Sequence, residues 1–569
     1  IMITSTISAF QKVLQSFRFG KPEGFPEEFA QARFFKKFQK PDHAHTKQLA
    51  QKAYADWREF DENLTRITMQ EDDPFWVAIK GTIHSILNKH NQLNASLFRW
   101  PQGSEFSPTR GFNTIEDRLR LSQWDCTPNN FEAFARLCYD NRALRFAAKR
   151  RWQHFLRTQQ CEPEVVNRQL YLLYRHCDRS RIGYRIFRHK LQYVVQMQPG
   201  SRFSTVPKNN EKRRPINIEC FANVLTQSQV GENIRNVLRD QLRIDLDTLA
   251  ETHRMRVSQP DRWATIDFQN ASDSISMKVV DALFPRWFVQ LLRNRRSEYI
   301  LGLDGQWYKP LKLSSMGNGF TFEVMSFLLT VIARSFDQEA SSFGDDVVIH
   351  PSNACDFIMR AAEIGFVVNE EKSFIGLTDP FRESCGANFH KDYGYISSFD
   401  FEWPTTIGEC VVIFNKAYHL GTRYKSFRNL YNSLLRVLNP ALRGTGPSSS
   451  YSIYEGLQQY KHTHYDIEPW FIYTKGQDNV GSMVPSMKKA LAALQKDVSA
   501  WYLVRGFRFQ CAERRGKIRD LSSRQWATYY MYLHDGRRSV LTRSGQGEWK
   551  VIWFVTNGSE TIAARSLKG

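Results

Sequence analysis

The stretch FGDDVVIHPS (343–352) places two adjacent carboxylates, Asp345 and Asp346, between a glycine and a β-branched run. This pattern predicts a tight turn between two short strands, with Gly344 relaxing the backbone. Two neighbouring carboxylates repel each other, and a hard divalent cation relieves that repulsion. Gly-Asp-Asp is also a common surface turn, so the motif alone leaves a structural and a metal-binding interpretation open.

A third carboxylate lies upstream in TIDFQNASDS (265–274). Residues 263–266 read as a strand that ends at Asp267, and a carboxylate at a strand end is what a site for two metal ions needs. Asp273 follows six residues later. It either caps the helix that begins in SDSISMKVVDALF (272–284) or contacts a substrate, and the sequence favours neither role.

Between these segments lies SSMGNGFTFE (314–323), followed by an apolar stretch that predicts a helix over about 320–336. Gly317 allows a close backbone approach, and Ser315 and Asn318 offer hydrogen bonds. A glycine turn ahead of a core helix is the alternative interpretation.

Two basic features flank the acidic motifs. The loop TVPKNNEKRRPINIE (205–219) suits a triphosphate, because arginine grips phosphate as a fork and lysine acts as a point charge. The segment IGFVVNEEKSF (364–374) offers a lysine that can protonate a pyrophosphate leaving group. Solvated surface residues are the alternative in both cases. The candidate cations are Lys208, Lys212, Arg213, Arg214 and Lys372.

The charge of the whole chain indicates a polyanionic partner. It carries 78 Lys and Arg against 58 Asp and Glu in 569 residues, a formal net charge of +20. Nucleic acid is the first candidate, since each phosphate neutralised releases condensed counterions. The best apolar stretch, 324–333, is too short to span a bilayer, and the first residues lack a signal-peptide pattern. Nine scattered cysteines without a CxxC pair argue against a zinc site or a disulfide framework.

Outside the motifs, periodicity predicts several elements. The first 200 residues read as mostly helical and basic, with one helix over 141–157 that is either solvated or in contact with RNA phosphates. A helix over 488–504, a hairpin around 535–536 and an aromatic strand over 549–555 are predicted near the end of the chain.

The order of the motifs matters more than any one of them. Their order resembles that of the palm of RNA-dependent RNA polymerases. The order is a basic loop, an Asp-bearing strand, a Gly-rich turn with a helix, a Gly-Asp-Asp hairpin and a lysine. Five segments resemble the replicase β subunits of small RNA bacteriophages of the Q-beta type, over about residues 201–390. They are TVPKNN, ASDSIS, SSMGNGFTFE, GDD and PFRESCG. The resemblance implies an α+β right-hand fold. Fingers would span 1–258, the palm with an antiparallel sheet and helices 259–400, and the thumb with a C-terminal extension 401–569.

The resemblance also implies roles. Asp267, Asp345 and Asp346 match the metal-binding carboxylates, for two Mg²⁺ ions with Mn²⁺ as a substitute, and Lys372 joins them as a catalytic residue. The partners implied are RNA template and product, NTPs, host elongation factors Tu and Ts and in some members further host RNA-binding proteins, in the cytoplasm of the bacterial host and without a membrane. The residues implied to bind nucleotide are Lys208, Lys212, Arg213, Arg214, Asp273, Ser315, Gly317 and Asn318.

Two positions depart from the family pattern. Glu211 stands where a basic residue is expected, and Phe343 stands where a tyrosine usually precedes Gly-Asp-Asp. Two rival functions remain at this point. A reverse transcriptase or other palm polymerase shares the two-metal chemistry, and a non-enzymatic RNA-binding protein explains the charge but leaves the ordered carboxylates without a role.

Overall fold

The structure is a computed structural model. It describes the following residues of the 569: 2–36, 38, 43–90, 98–99, 106, 124–158, 182–399, 401, 403–404, 407–437, 467–475, 547–557 and 561–566.

Helices dominate the first 300 residues of the described chain. Numbered in chain order, the helices are α1 (Met2–Ser16), α2 (Phe25–Lys36), α3 (His43–Asn63), α4 (Pro74–Asn88), α5 (Phe131–Asp140), α6 (Arg142–Thr158), α7 (Ile182–Gln192), α8 (Phe221–Leu242), α9 (Leu249–Val257), α10 (Met277–Leu283), α11 (Arg286–Arg293), α12 (Thr321–Arg334), α13 (Ala354–Glu363), α14 (Ile407–Gly421) and α15 (Lys425–Val437).

The strands are short and form several small sheets, so the predicted α+β class is confirmed. The strands are β1 (Trp124–Cys126), β2 (Val195–Met197), β3 (Gly200–Pro207), β4 (Arg213–Ile218), β5 (Ala264–Ile266), β6 (Phe268–Gln269), β7 (Tyr299–Leu301), β8 (Trp307–Tyr308), β9 (Ser341–Phe343), β10 (Asp346–Ile349), β11 (Val367–Val368), β12 (Phe381–Ser384), β13 (Ala387–His390), β14 (Gly394–Tyr395), β15 (Ile467–Lys475), β16 (Gly547–Asn557) and β17 (Thr561–Ser566).

Packing divides the chain into two compact units that do not follow chain order. One unit contains residues 1–42, 109–121 and 397–569, and the other contains 43–108 and 122–396. In the first, α1, α2, α14 and α15 bury an aromatic core that includes Phe10, Phe34, Phe401, Phe414 and Phe427. Strands β15, β16 and β17 of the same unit form an antiparallel sheet.

The second unit is built around α12, which is buried along almost its whole length. Its apolar side chains join the largest hydrophobic core, together with Ile266 of β5 and Val347 of β10. A helix that is apolar on all sides is expected to be enclosed in this way. Strands β5, β10 and β9 lie against it as a three-stranded antiparallel sheet in that order, with Val347 opposite Ile266 and Asp346 opposite Phe343.

Several sequence predictions are confirmed by these elements. The helix expected over 141–157 is α6, the apolar helix expected over 320–336 is α12, and the aromatic strand over 549–555 lies inside β16. The helix predicted over 488–504 and the hairpin predicted around 535–536 lie outside the described residues. Within the described ranges, no helix is long and apolar enough to cross a membrane.

Candidate active site

The Gly-Asp-Asp motif forms the predicted hairpin turn. Phe343 pairs with Asp346 across it, so Gly344 and Asp345 are the two turn residues. Gly344 has a φ of +65°, and a Cβ there would lie 2.6 Å from the ring of Phe322, so only glycine fits. The Gly344 amide donates to the hydroxyl of Ser326 on α12 at 2.8 Å, which fixes the turn to the buried helix.

Asp267 lies at the end of β5, as the sequence predicted. Because Ile266 pairs with Val347, the antiparallel register continues to place Asp267 opposite Asp346. Asp267, Asp345 and Asp346 are therefore neighbours at the same end of β5 and β10.

The three acidic groups affect one another's titration. Burial and the charge of Asp267 raise the pKa of Asp345 above its usual range. Burial, followed by the charges of Asp345 and Asp267, raises the pKa of Asp346 to about 7. Such mutual destabilisation of neighbouring anions is what a bound cation would relieve.

Asp267 is held by the segment that follows β11. The Asn369 side-chain amide donates to its Oδ1 at 2.6 Å, and Lys372 Nζ lies 3.5 Å from its Oδ2. The Ser373 hydroxyl accepts from the Asp267 backbone amide at 3.1 Å. Burial lowers the pKa of Lys372, but the negative charges of Asp267, Glu383 and Asp346 raise it by more. The net pKa is raised, so the ammonium form of Lys372 is favoured.

The basic loop joins the site through two of its four predicted residues. Strands β3 and β4 form a hairpin whose turn holds Lys208 and whose return strand holds Arg214. Burial and the charges of Arg214 and Lys372 lower the pKa of Lys208, and Asp267 opposes them. The charge of Arg214 partly opposes the rise in the pKa of Asp345 that burial and Asp267 cause. Lys208 and Arg214 therefore act on the carboxylates, with Lys372 close by.

The other two basic residues lie differently. Arg213 donates to the hydroxyl and the carbonyl of Thr205 on its own hairpin, at 2.6 and 2.8 Å. Successive strand residues point to opposite faces, which separates Arg213 from Arg214. Lys212 and Glu211 are exposed near the hairpin turn.

The Gly-rich turn packs closely against the hairpin. Gly317 has a φ of +106°, and a Cβ there would lie 2.1 Å from the carbonyl oxygen of Asn217. Asn318 is buried, and its Oδ1 accepts from the amide of Phe320 at 3.0 Å. Ser315 is buried and donates to Asp273 Oδ1 at 2.7 Å.

Asp273 does not cap the following helix. The cap of α10 is Ser276, whose hydroxyl accepts from the amide of Val279 at 3.1 Å. Asp273 is instead 4% exposed and bound by several buried donors. Of the two roles left open by the sequence, the capping role is wrong.

Comparison with known proteins places the chain in a family. A family model described as "RNA replicase, beta-chain" matches residues 118–460, which is more than half of the chain. The chain belongs to the RNA replicase beta-chain family. The α+β fold and the Q-beta-type resemblance of the motifs agree with this membership.

Individual relatives of this replicase family match parts of the chain. An RNA-directed RNA polymerase subunit beta of Enterobacteria phage SP is 36% identical over 242 residues, which is 40% of this chain and 41% of that protein. One from Qbeta virus strain MX1 is 29% identical over 331 residues, or 54% of each. The chain thus matches about half the length of these relatives.

Solved structures are only distantly similar. The RNA-dependent RNA polymerase of a human picobirnavirus has a TM-score of 0.29 and 13% identity, over 42% of this chain and 56% of that one. Structural similarity at this level supports no inference about the chain.

Sequence reasoning missed how the FRESCG segment supports the replicase site. Arg382 is fully buried, and its guanidinium donates to five backbone carbonyl oxygens at 2.7–2.9 Å. One of them belongs to Trp263, directly before β5. The next residues of the motif hold Asp346, because the amide of Cys385 donates to its Oδ2 at 3.2 Å. The other acceptors of Arg382 are the carbonyls of Pro260, Gly376, Asp379 and Phe381.

The departure at Phe343 has a structural explanation. Its ring packs edge-on against Phe322 on α12, with centroids 4.8 Å apart. A ring that only packs does not need a hydroxyl, so phenylalanine replaces the usual tyrosine without loss of a contact.

A buried histidine supports the strand behind the turn. His253 on α9 is 0% exposed, and its ring nitrogens lie 2.9 and 3.0 Å from the hydroxyls of Ser384 and Ser341. Burial, with a smaller effect of Arg256, lowers the pKa of His253 to about 3. The ring is therefore neutral in the folded chain at neutral pH.

The low pKa of His253 makes stability depend on pH. Between pH 6.5 and about 3 the unfolded chain binds a proton at this ring and the folded chain does not, so the stability that the ring contributes is lost as the pH falls through this window. We expect the melting temperature to fall more steeply between pH 7 and pH 5 in the wild type than in His253→Asn. Parallel thermal-melting profiles of the two proteins over that range would contradict the assignment.

Proposed function

We propose that the chain is the catalytic subunit of an RNA-directed RNA polymerase that copies a single-stranded RNA phage genome from NTPs. The observation that carries the proposal is the strand register that makes Asp267, Asp345 and Asp346 neighbours. Three cations interact electrostatically with these carboxylates, namely Lys208, Arg214 and Lys372. Membership of the replicase family and the names of the matched relatives support it.

The reaction is attack of a 3′-hydroxyl oxygen on the α-phosphorus of an NTP, and the proton of that hydroxyl passes to water. The new phosphodiester bond forms as the bond from the α-phosphorus to the bridging oxygen breaks, and pyrophosphate leaves with its negative charge. Lys372, whose ammonium form is favoured, gives a proton to the leaving pyrophosphate. Lys208 and Arg214 neutralise the triphosphate as it arrives beside the carboxylates.

The donor set fits divalent ions. The proposed ligands are three carboxylates, and burial together with their mutual repulsion raises the pKa of Asp345 and Asp346. Such hard oxygen ligands suit Mg²⁺, with Mn²⁺ as a substitute. Bound ions supply activation of the attacking hydroxyl and neutralisation of the pyrophosphate. In the described residues no group of three or more His, Cys, Asp or Glu side chains has a spacing ready for a metal ion. Each oxygen of Asp267 has one contact, with Asn369 or with Lys372, and a carboxylate has about four acceptor positions, so both oxygens can still bind an ion.

The wider assignments belong to the same proposal. Residues 1–258 act as fingers, 259–400 as palm and 401–569 as thumb and extension. The two packing units divide the chain otherwise, since residues 1–42 fall in one unit with 397–569. The RNA template and product bind to basic surfaces of the chain, which has a net charge of +20. Host elongation factors Tu and Ts and further host RNA-binding proteins are the proposed partners, in the cytoplasm of the bacterial host.

An extension assay tests the function. The chain is purified from the bacterial host with whatever co-purifies and is given an RNA template, Mg²⁺ and either NTPs or dNTPs. Template-dependent RNA synthesis with NTPs supports the proposal. DNA synthesis from dNTPs would favour a reverse transcriptase, and RNA binding without synthesis would favour a non-enzymatic protein. Mass spectrometry of the co-purified proteins tests the partners.

The basic hairpin allows a matched test. Arg214→Lys keeps the charge but removes the two-pronged grip on phosphate, so we expect a higher KM for NTP and a lower kcat. Arg213→Lys on the opposite face of β4 is the control and is expected to leave both constants near the wild-type values. Steady-state kinetics with varied NTP measure both. Equal effects of the two substitutions on KM and kcat would contradict the assignment of Arg214 to the nucleotide site.

A further inference from the structure

A strongly basic surface lies on the bundle formed by helices α5, α6 and α7. Helix α6 contains six Lys and Arg residues and α7 contains three, and neither helix contains an Asp or a Glu. An exposed helix ordinarily carries charges of both signs, and like charges four residues apart, such as Arg145 and Lys149, destabilise it. The positive charge of α6 and α7 is therefore not balanced by acidic residues of the same helices.

The bundle is attached to α8 by buried polar and aromatic contacts. Thr226 of α8 donates its hydroxyl to the side-chain oxygen of Asn130, directly before α5, at 2.7 Å. Phe134 of α5 packs edge-on against Phe221, with ring centroids 6.1 Å apart. Phe221 begins α8, seven residues after Arg214 of the basic hairpin. The bundle therefore belongs to the same packed unit as the proposed nucleotide site.

Neighbouring cations of α6 have different environments. Arg151 is 6% exposed, and its guanidinium carbon lies 3.7 Å from the centroid of a Trp124 ring. Lys149, Arg150 and Arg157 are exposed, and none of them pairs with an acidic side chain in the part of the chain that the structure describes. Helical geometry puts Lys149 and Arg150 on adjacent stripes of the helix and Arg157 two turns beyond Arg150, over about 12 Å of helix. These three side chains form one cationic surface, the α6 face.

The composition of the α6 face favours phosphate over a protein partner. The centre of a protein–protein interface is enriched in aromatic side chains and depleted in lysine. Within its described residues, α6 exposes one large apolar side chain, Leu156, which is 45% exposed. The rings of Trp152 and Phe155 stack on each other with centroids 5.6 Å apart, so they are used inside the bundle. Cations without an open ring suit the backbone of a nucleic acid rather than its bases.

We propose that the α6 face binds the phosphate backbone of RNA, independently of base sequence, as a contact additional to the nucleotide site. The inference rests on the proposed polymerase function, which makes RNA the polyanion that the chain meets. Lys149, Arg150 and Arg157 each neutralise a phosphate and release condensed counterions. Contacts of this kind position an RNA strand and carry no sequence information. The α6 face therefore contributes affinity and salt dependence, and no base preference.

The experiment removes the three charges together. Lys149→Gln, Arg150→Gln and Arg157→Gln are combined in the full chain, purified with its co-purifying proteins, because glutamine suits an exposed helix nearly as well as lysine or arginine. Filter binding without NTP measures the affinity for an oligoribonucleotide of mixed sequence over a series of salt concentrations. We expect the slope of log affinity against log salt to become shallower by about 2 to 3, and the affinity at physiological salt to fall at least about tenfold. A second oligoribonucleotide of unrelated sequence should lose affinity by the same factor.

A second triple variant controls for net charge. Lys89, Lys278 and Arg286 are exposed cations at the end of α4 and on α10 and α11. They lie on helices that also carry acidic residues, where Asp281 pairs with Arg293 at 2.6 Å. Changing all three to glutamine removes the same charge, and both the salt slope and the affinity are expected to stay near the wild-type values. Equal losses in the two triple variants would mean that net charge alone governs RNA binding, and would overturn the proposal.

The remaining outcomes separate the α6 face from the polymerase function. A triple α6 variant that melts like the wild type and keeps its salt slope overturns the proposal. Loss of a co-purifying protein with unchanged RNA affinity would mean that the face binds a protein, and would overturn it as well. The expected change of slope in a chain that synthesises no RNA supports the α6 face and is a failure of the polymerase function alone. If the triple variant does not accumulate, Arg150→Gln by itself decides, with an expected change of slope of about 1.

Discussion

Asp345→Asn is expected to lower the rate of RNA extension by about a thousandfold or more. The change preserves the shape of the turn between β9 and β10 but removes one of three charges that are proposed to hold the metal ions. Metal ions stabilise the transition state of such reactions by several kcal/mol. Each increase of about 1.4 kcal/mol in the activation free energy lowers the rate tenfold. Single-turnover extension with a pre-bound RNA measures the chemical step directly.

The controls for this substitution are binding and a matched aspartate. RNA affinity, measured by filter binding at fixed salt, is expected to stay near the wild-type value because the phosphate-binding cations are untouched. Asp356→Asn, on the exposed face of α13, changes the same chemistry away from the site and should extend RNA normally. Near wild-type extension by Asp345→Asn would refute the assignment of this carboxylate to the metal site.

Arg382→Ala is expected to prevent accumulation of folded protein. The substitution removes a donor from five backbone carbonyl oxygens, three of them in buried hydrogen bonds; each buried acceptor left unsatisfied costs about 1–3 kcal/mol, so the loss is on the order of 5 kcal/mol. That is comparable with the whole stability of a typical protein. Arg382→Lys offers three donors and is expected to fall between the alanine variant and the wild type.

Soluble yield and melting temperature measure this effect. Arg262→Ala is the control, because Arg262 is 56% exposed and its ion pair at 2.6 Å is with Glu339, itself 60% exposed. Such a surface pair contributes about 0–1 kcal/mol, so this variant should melt close to the wild type. A soluble Arg382→Ala protein with an unchanged melting temperature would mean that water replaces the guanidinium at all five carbonyls.

The residues that support the site make long-range contacts that no local sequence pattern predicts. Arg382, Asn369 and Cys385 act through backbone groups and side chains that are between 39 and 122 positions away in sequence. Nothing in the composition or periodicity of FRESCG indicates that its arginine binds carbonyls rather than a phosphate. The distinction depends on which chain segments enclose the side chain, and only the packed structure provides that.

The basic loop shows the same division within four residues. The sequence treats Arg213 and Arg214 alike, because adjacent arginines have the same charge and the same reach. The hairpin of β3 and β4 separates them, because successive strand residues point to opposite faces: Arg213 binds Thr205 of its own hairpin, and the charge of Arg214 contributes to the pKa of Asp345. Arg213 therefore makes an internal contact of the hairpin, and the phosphate-binding role of Arg214 stays a prediction.

By itself the sequence determined what is local in this protein. Gly344 and the β-branched run predict a tight hairpin, and the strand before Asp267 predicts the position of that carboxylate. The mostly apolar sequence of α12 predicts a buried helix. These outcomes depend on backbone sterics and hydrophobic periodicity, which act over a few residues. The tertiary structure alone decided that α3 supplies Trp57 to Asp273 and Asp61 to Lys312, and that Arg382 links the segments around β5. Those contacts depend on which distant segments share one desolvated interior, where every buried charge and carbonyl needs a partner that chain proximity does not supply.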